Sequence, residues 1–261
     1  MTIPIYQVDA FTNIVFGGNP AAVCCLEEWL DDEILQDIAL ENNLSETAFL
    51  VKAKEFYELR WFTPTTEVDL CGHATLAAAY VIFEFIESDK SLLKFSTQSG
   101  MLSVRKTDDM LTLDFPSRKP SEIPAIDDLT DALGSKPAEL WKASRDLMAV
   151  FENESQIRGL KPNFEKLKQL PDTFAVIVTA KGNDVDFTSR FFAPRVGINE
   201  DPVTGSAHCT LIPYWSERLG KNKLHALQVS DRGGELFCED CNDRVLISGK
   251  AVLYLKGNIN I

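Results

Sequence analysis

The sequence predicts an α+β fold of two similar lobes, each a barrel-like sheet wrapped around one central helix. Three observations carry that prediction. First, the chain duplicates itself once over a long period, which argues for two related lobes rather than a solenoid of short repeats. Second, residues 74–86 read Ala-Thr-Leu-Ala-Ala-Ala-Tyr-Val-Ile-Phe-Glu-Phe-Ile, apolar on nearly every side until Glu84. A helix apolar all round must be buried all round. Third, predicted strands outnumber helices, so a curved sheet around that helix is the simplest way to bury it.

The duplication is legible in short blocks. Arg60-Trp61-Phe62-Thr63-Pro64 recurs as Arg190-Phe191-Phe192-Ala193-Pro194. After each block comes a Gly-X-Ala helix start, Gly72-His73-Ala74 and Gly205-Ser206-Ala207. Each helix is followed by a strand and a glycine turn, over residues 95–100 and 228–234. Upstream, the apolar run at residues 44–51 has its counterpart at 170–177. The Pro-rich stretch 116–124 reads as the linker. The lobes are therefore expected at residues 1–116 and 117–261, with the last strand able to pack back on the N-terminal lobe.

Taken in order, period-two apolar patterns predict strands at residues 5–11 and 21–26, and Asp31 can cap a helix over 32–41. That helix places Ile34, Leu35, Ile38 and Ala39 on one face. Strands follow at 47–51 and 58–62, then the apolar helix, then strands at 101–105 and 111–115. The second half shows strands at 174–179 and 189–192, a helix over 206–218, and strands at 234–238, 244–248 and 251–256. Pro213 lies inside the second central helix. An interior proline costs about 3 kcal/mol in a straight helix, so a kink or break is expected there.

The 261 residues are 45% hydrophobic and 25% charged, which excludes disordered, collagen-like and low-complexity readings. The length suits one large domain or two small ones. Lys+Arg number 26 against Asp+Glu 39, a net charge of −13. With no basic run, neither a nucleic-acid nor an anionic membrane partner is expected, because phosphate contacts need a positive surface. The longest apolar stretch, residues 77–83, is far short of the ~18 residues of a membrane span. The N-terminal residues show no basic region followed by an apolar one, so a cytoplasmic location is expected. There the six cysteines (Cys24, Cys25, Cys71, Cys209, Cys238 and Cys241) stay reduced. The lone CxxC at Cys238 and Cys241 lacks a second pair for zinc and reads as a turn between two strands.

Both central helices begin with glycine and a polar residue. A buried helix N-terminus offers unpaired N–H groups and roughly half a positive charge, which suits a carboxylate or an oxyanion. If a pseudo-twofold relates the lobes, both ends reach one cleft and hold a small anionic metabolite. On the glycines alone, an equal reading is that Gly72 and Gly205 serve only tight turns. Glu46 could equally cap or edge a strand, His73 could be a structural histidine, and Asp201 through Ser206 could be a simple N-cap turn. Taken together, a carboxylate and an imidazole from one half with a carboxylate and a hydroxyl from the other suit proton transfer to and from carbon.

Four blocks carry a resemblance: Asn19-Pro20-Ala21-Ala22-Val23, Asn43 through Phe49, Arg60 through Pro64 with Asp69 through Thr75, and Glu200 through Ala207. In order and over nearly the whole chain they resemble the phenazine biosynthesis PhzF-like family. That family is similar in fold to diaminopimelate epimerase, which implies two pseudo-symmetric lobes of mostly antiparallel sheet. The resemblance implies that Glu46 is the general acid/base. In the characterised trans-2,3-dihydro-3-hydroxyanthranilate isomerase this residue moves a proton along a cyclohexadiene ring. His73, Asp201 and Ser206 match polar groups that assist, while Gly72 and Gly205 match helix-start amides that hold the substrate carboxylate. Thr204 and Asn19 fall in the same blocks and are expected to line the substrate site. No metal, nucleotide or flavin is implied, and a homodimer is.

Epimerases and proline racemases of this fold use two opposed cysteines, one at the start of each central helix. Cys71 occupies the first position, but Thr204 occupies the second, and a threonine hydroxyl is no base near neutral pH. A two-thiol racemase is therefore incomplete, and Cys71 reads as a small buried residue. The expectation is a cofactor-independent isomerase acting on a small carboxylate-bearing metabolite. A racemase of the same fold, or a binding protein without turnover, are the alternatives.

Overall fold

The computed structural model describes residues 1–261. The chain divides into two compact units: Met1–Phe115 with Ile247–Ile261, and Pro116–Leu246. Residues from Ile247 on, counted with the C-terminal lobe in the sequence, thus belong to the first unit.

The first unit begins with β1 (Thr2–Ala10), β2 (Asn19–Leu26), α1 (Asp32–Asn42), β3 (Glu46–Lys52), β4 (Tyr57–Phe62) and β5 (Glu67–Val68). Next comes α2 (Gly72–Val81), continued by a π-helical turn over Ile82–Ile86, then β6 (Leu92–Thr97), β7 (Gly100–Thr107) and β8 (Met110–Pro116). The second unit holds β9 (Ser121–Glu122), α3 (Asp127–Leu133), β10 (Glu139–Ala143), β11 (Asp146–Val150), α4 (Glu154–Gly159) and α5 (Phe164–Gln169). It continues with β12 (Ala175–Lys181), β13 (Phe187–Ala193), β14 (Ile198–Asp201), α6 (Gly205–Leu219), β15 (Lys223–Gln228) and β16 (Gly234–Cys241). Strand β17 (Arg244–Gly249) spans the boundary, and β18 (Ala251–Asn260) closes the first unit by pairing antiparallel with β1 from Thr2↔Asn260 to Ala10↔Ala251.

The units repeat one topology. In the first, β1–β2 is antiparallel, β2–β3 parallel, β3–β4 and β4–β5 antiparallel, β4–β6 parallel and β6–β7 antiparallel. In the second, β10 to β16 repeat that order of senses pair for pair, with the central helix inserted at the same point. Each unit is a mostly antiparallel, barrel-like sheet around one helix. Within the first, α2 packs on β1, β2, β3 and β18 and is buried from Gly72 to Val81 apart from Tyr80. On the opposite sheet face, Leu35, Ile38 and Ala39 of α1 pack against Ile3, Ile5, Ala22, Cys24, Phe49 and Phe62. Alternation along the strands thus serves two apolar layers at once. In the second unit, α3 to α5 supply Leu129, Leu133, Ile157 and Leu167 to a core with Val176, Val178 and Phe192.

Two local expectations are corrected. Asp31 occupies the N-cap position of α1, but its side chain makes no capping hydrogen bond. More telling, α6 runs unbroken through Pro213. Proline cannot donate to the carbonyl four residues back, which belongs to Cys209. That carbonyl instead accepts a 2.9 Å hydrogen bond from the Arg118 N–H. A tertiary donor fills the gap, so no acceptor is orphaned at the proline and the helix does not break there. Pro213→Ala should accordingly change unfolding free energy by less than about 1 kcal/mol, well below the ~3 kcal/mol usual for removing a mid-helix proline. Denaturant unfolding of the variant checks this.

The linker stretch carries β9, which pairs with β10. Cys238 and Cys241 both lie in β16 and are free thiols, with the turn beginning at Asn242, whose φ of 70° is left-handed.

Candidate active site

The first unit assembles its polar centre by strand register. The parallel pairing of β2 with β3 sets Ala21 opposite Glu46, which brings the start of β3 beside the start of β2 and its Asn19. Gly18 makes that entry possible: its φ is +59°, and a Cβ there would fall 2.1 Å from the Ala10 carbonyl oxygen. The helix α2 lies across β2 and β3 and presents His73 as its second residue. His73 Nε2 stands 2.9 Å from Glu46 Oε2, and His73 Nδ1 stands 3.1 Å from Asn19 Nδ2. Cys71 Sγ is 3.5 Å from His73 Nδ1. All four are buried: Asn19 is 0% exposed, His73 4%, Cys71 6% and Glu46 9%.

With the Asn19 amide donating, Nδ1 is an acceptor and the ring proton sits on Nε2, facing Glu46. Turning the amide by 180° presents its oxygen to an Nδ1–H instead, so Asn19 serves either protonation state. Burial works against the imidazolium. The Glu46 carboxylate, 2.9 Å away, outweighs it and holds the His73 pKa well above its ordinary value. Burial, with the Glu46 charge added, pushes the Cys71 thiol up to about 11, so it is a neutral packing group at neutral pH. Glu46, Cys71 and His73 each turn one potential metal-ligand atom toward the others, all within 4.8 Å.

The second unit has its own polar set at the same point of the repeat. Thr204, the N-cap residue of α6, is extended (φ −118°), as Cys71 is before α2 (φ −141°). Neither side chain makes a capping hydrogen bond, so the first-turn amides of Gly72 and Gly205 keep the unpaired N–H character of a helix start. The Thr204 hydroxyl donates to Asp201 Oδ2. Gln228 holds the turn in place: its Oε1 accepts the Thr204 N–H at 2.8 Å, and its Nε2 donates to the Asp201 carbonyl at 2.8 Å and to Thr204 Oγ1 at 3.1 Å. Ser206 is half-buried and stands outside this hydrogen-bonded group.

Gln228 was missed as a functional residue, although the alternation of β15 offered a signal. Leu224, Ala226 and Gln228 share the inward register, and a glutamine in an apolar register is a buried polar group that must have partners.

Matching arginines anchor both helix entries. Arg60 makes a two-pronged pair with Glu67 of β5 (2.7 and 2.8 Å), and Arg190 makes the same pair with Glu200 of β14 (2.7 and 2.8 Å). Each guanidinium lies over the ring two residues on, Phe62 at 5.1 Å and Phe192 at 5.0 Å. The repeated Arg-aromatic-Phe block therefore fixes the short strand that delivers each central helix.

Comparison with known proteins settles the family. The family model described as phenazine biosynthesis-like protein, PhzC-PhzF, matches residues 8–257. The chain belongs to the PhzC/PhzF family. It is 52% identical to an uncharacterised isomerase of Pseudomonas aeruginosa, over 100% of both chains. A crystal structure of a PhzF-family phenazine biosynthesis protein from Enterococcus faecalis is 50% identical, covers 100% of each chain and superposes with a TM-score of 0.98. A predicted epimerase from Pseudomonas aeruginosa, 18% identical over 98% of this chain and 99% of its own, gives a TM-score of 0.75 and shares the epimerase-like fold. As a member of this family the chain is an isomerase. None of its helices is long and apolar enough to cross a membrane.

One buried histidine near the second set makes a pH prediction. His208, 0% exposed, pairs through Nδ1 with the Thr204 carbonyl at 2.8 Å, and burial lowers its pKa from 6.5 to about 4. The folded state thus keeps the ring neutral, while the unfolded chain takes up the proton below pH 6.5. Stability should fall as the pH drops from 6.5 toward 4, with a limiting slope of about 1.4 kcal/mol per pH unit. Asp146 acts in the opposite sense. Burial raises its pKa from 3.8 to about 6 against the pull of Arg145 and Arg118, so its stabilising contribution is lost as the pH rises through 6. Urea unfolding of His208→Asn across pH 4–7 should lose the His208 component and leave the Asp146 one.

Proposed function

We propose that the protein is a cofactor-independent isomerase that moves a proton between carbon atoms of a small carboxylate-bearing metabolite, with Glu46 as the acid/base. The reading rests above all on the buried Glu46–His73 pair, 2.9 Å apart at the start of α2. A carboxylate beside an imidazole, with water largely excluded, can take a proton from carbon and return it within one site. Asn19 sets the orientation of the ring. The Gly72 amides, at the positive end of α2, are assigned to the substrate's carboxylate or to charge developing on it. Asp201, Thr204, Gly205 and Ser206 are the residues proposed from the family likeness at the start of α6 in the second unit. A cytoplasmic homodimer belongs to this reading.

Family likeness supports the reaction class, and ring isomerisation of the trans-2,3-dihydro-3-hydroxyanthranilate type is the form proposed for it. The racemase alternative needs two thiols. Thr204 stands where the second would be, with its hydroxyl engaged by Asp201, and this favours the single-carboxylate mechanism. Incubating the protein in D2O with a panel of small cyclic, amino and hydroxy acids tests the proposal. Deuterium entering at carbon supports it, whereas tight binding with no exchange over the panel makes this a binding protein.

A further inference from the structure

We propose that Trp61 is a positioning residue for Glu46: its indole N–H donates through one bridging water to the Glu46 carboxylate and holds the plane of that group against His73. The consequence for turnover rests on the function proposed above. The contact itself stands on strand register, burial and donor chemistry.

Register puts the two side chains on one face of the sheet. Ala48 of β3 lies directly opposite Trp61 of β4, and Thr47 lies opposite Phe62. Opposed residues of an antiparallel pair point to the same side, and so does every second residue along a strand. Glu46, Ala48 and Trp61 therefore share a face, while Phe49 and Phe62 lie on the other with α1. Glu46 is the diagonal neighbour of Trp61, about 7–8 Å away between Cα atoms and within reach of an indole. Ala48, the residue opposite Trp61, is too small to stand between them.

The indole itself calls for a partner. Trp61 is 1% exposed, and its buried Nε1–H, which can only donate, makes no hydrogen bond within the protein. Such a group has lost its hydration without replacement, and buried polar groups nearly always find a partner, protein or water. An ionised carboxylate offers about four acceptor positions, so Glu46 can serve His73 and a second donor together. Between polar groups beyond direct reach, a water accepts from the one and donates to the other. The second unit supplies an independent contrast. There Val176 lies opposite Phe192 as Thr47 lies opposite Phe62, so Ala175 takes the place of Glu46 and Phe191 that of Trp61. The carboxylate and the indole N–H are both missing from the duplicate, as expected of two groups that serve each other. With His73 on one side and the bridged indole on the other, the Glu46 carboxylate is kept from rotating about its last bond. The lone pair left for the substrate then keeps one direction.

The contact is tested by NMR on the full chain with 15N in its four tryptophans. Trp61→Phe assigns the Trp61 indole signal by deleting it. That proton should resonate downfield and show cross-relaxation to a long-lived water. It should move upfield in Glu46→Gln, because a charged acceptor makes the stronger bond. A signal that Glu46→Gln leaves in place, or one without a water contact, overturns the bridge. In turnover, Trp61→Phe should lower kcat for exchange at carbon about 10- to 100-fold with KM unchanged, the mark of a misplaced reacting group rather than of lost binding. Phenylalanine is also smaller than the indole, so the decisive variant replaces the Trp61 indole by benzothiophene, in which sulfur takes the place of the N–H at nearly the same volume. It should fold as the parent does and share the loss in kcat. Parent kcat with the benzothiophene, or a change confined to KM, overturns the positioning role. A parent protein that exchanges no protons at carbon would sink the function proposed above, while the indole signal still decides whether Trp61 and Glu46 are joined.

Discussion

Glu46→Gln should lower solvent exchange at carbon by about 10²–10⁴-fold while leaving the unfolding midpoint and ligand affinity close to those of the parent. The amide keeps the side chain's size and can still meet His73 Nε2, so the pocket is preserved and only the proton-accepting oxygen is lost. Because the carboxylate is 9% exposed, no water-borne base can reach the same position to substitute for it. Wild-type exchange rates in the variant would take Glu46 out of the mechanism. Lost exchange together with lost folding would be uninformative for Gln alone, and Glu46→Asp then separates the cases. It retains the charge but withdraws it by one methylene, and should recover stability while activity stays low.

The second large effect is structural. Gln228→Ala should destabilise the protein by about 3 to 5 kcal/mol, because it strands the Thr204 N–H and the Asp201 carbonyl in a buried setting and removes the support of the Thr204 hydroxyl. A role confined to stability predicts that Gln228→Glu, which still offers an acceptor to the Thr204 N–H, recovers part of the folding energy and none of the Asp201 contact. A role in positioning the start of α6 predicts in addition that exchange at carbon drops in kcat rather than in KM. Chemical unfolding with steady-state exchange on the same samples reads both.

The sequence displayed the central helix of the first unit plainly because all its sides are apolar, and no surface position in a domain tolerates that. The duplication was equally plain, since the Arg-aromatic-Phe blocks carry one physical task, the arginine–glutamate clamp at each helix entry. What escaped were β10 and β11. Their hairpin turns through Ser144, a non-glycine at φ 52°, and Glu139 and Lys142 break the apolar alternation of β10. The three short helices α3 to α5 fall below the length at which a 3.6-residue period can be recognised. Even so, the Asn153–Gln156 capping box was a usable mark of α4. Pro213 misled because the donor that rescues it, the Arg118 N–H, is nearly a hundred residues away in the chain. The site was half legible. Each of Asn19, Glu46 and His73 stood out as a polar residue at the edge of an apolar element, but their meeting depends on the parallel register of β2 with β3, and no local pattern encodes register between distant strands.

The pairing of β1 with β18 bears on how this protein is made. Strand β1 finds one of its neighbours only once Ala251–Asn260 have been made, so one flank of the first unit stays open while the whole of the second is synthesised. The second unit is contiguous in the chain and meets no such delay. During translation the order of completion is therefore inverted: the later-made unit closes first. The earlier-made one, which carries Glu46 and His73, waits with an apolar edge exposed, the state in which a chaperone has most to protect.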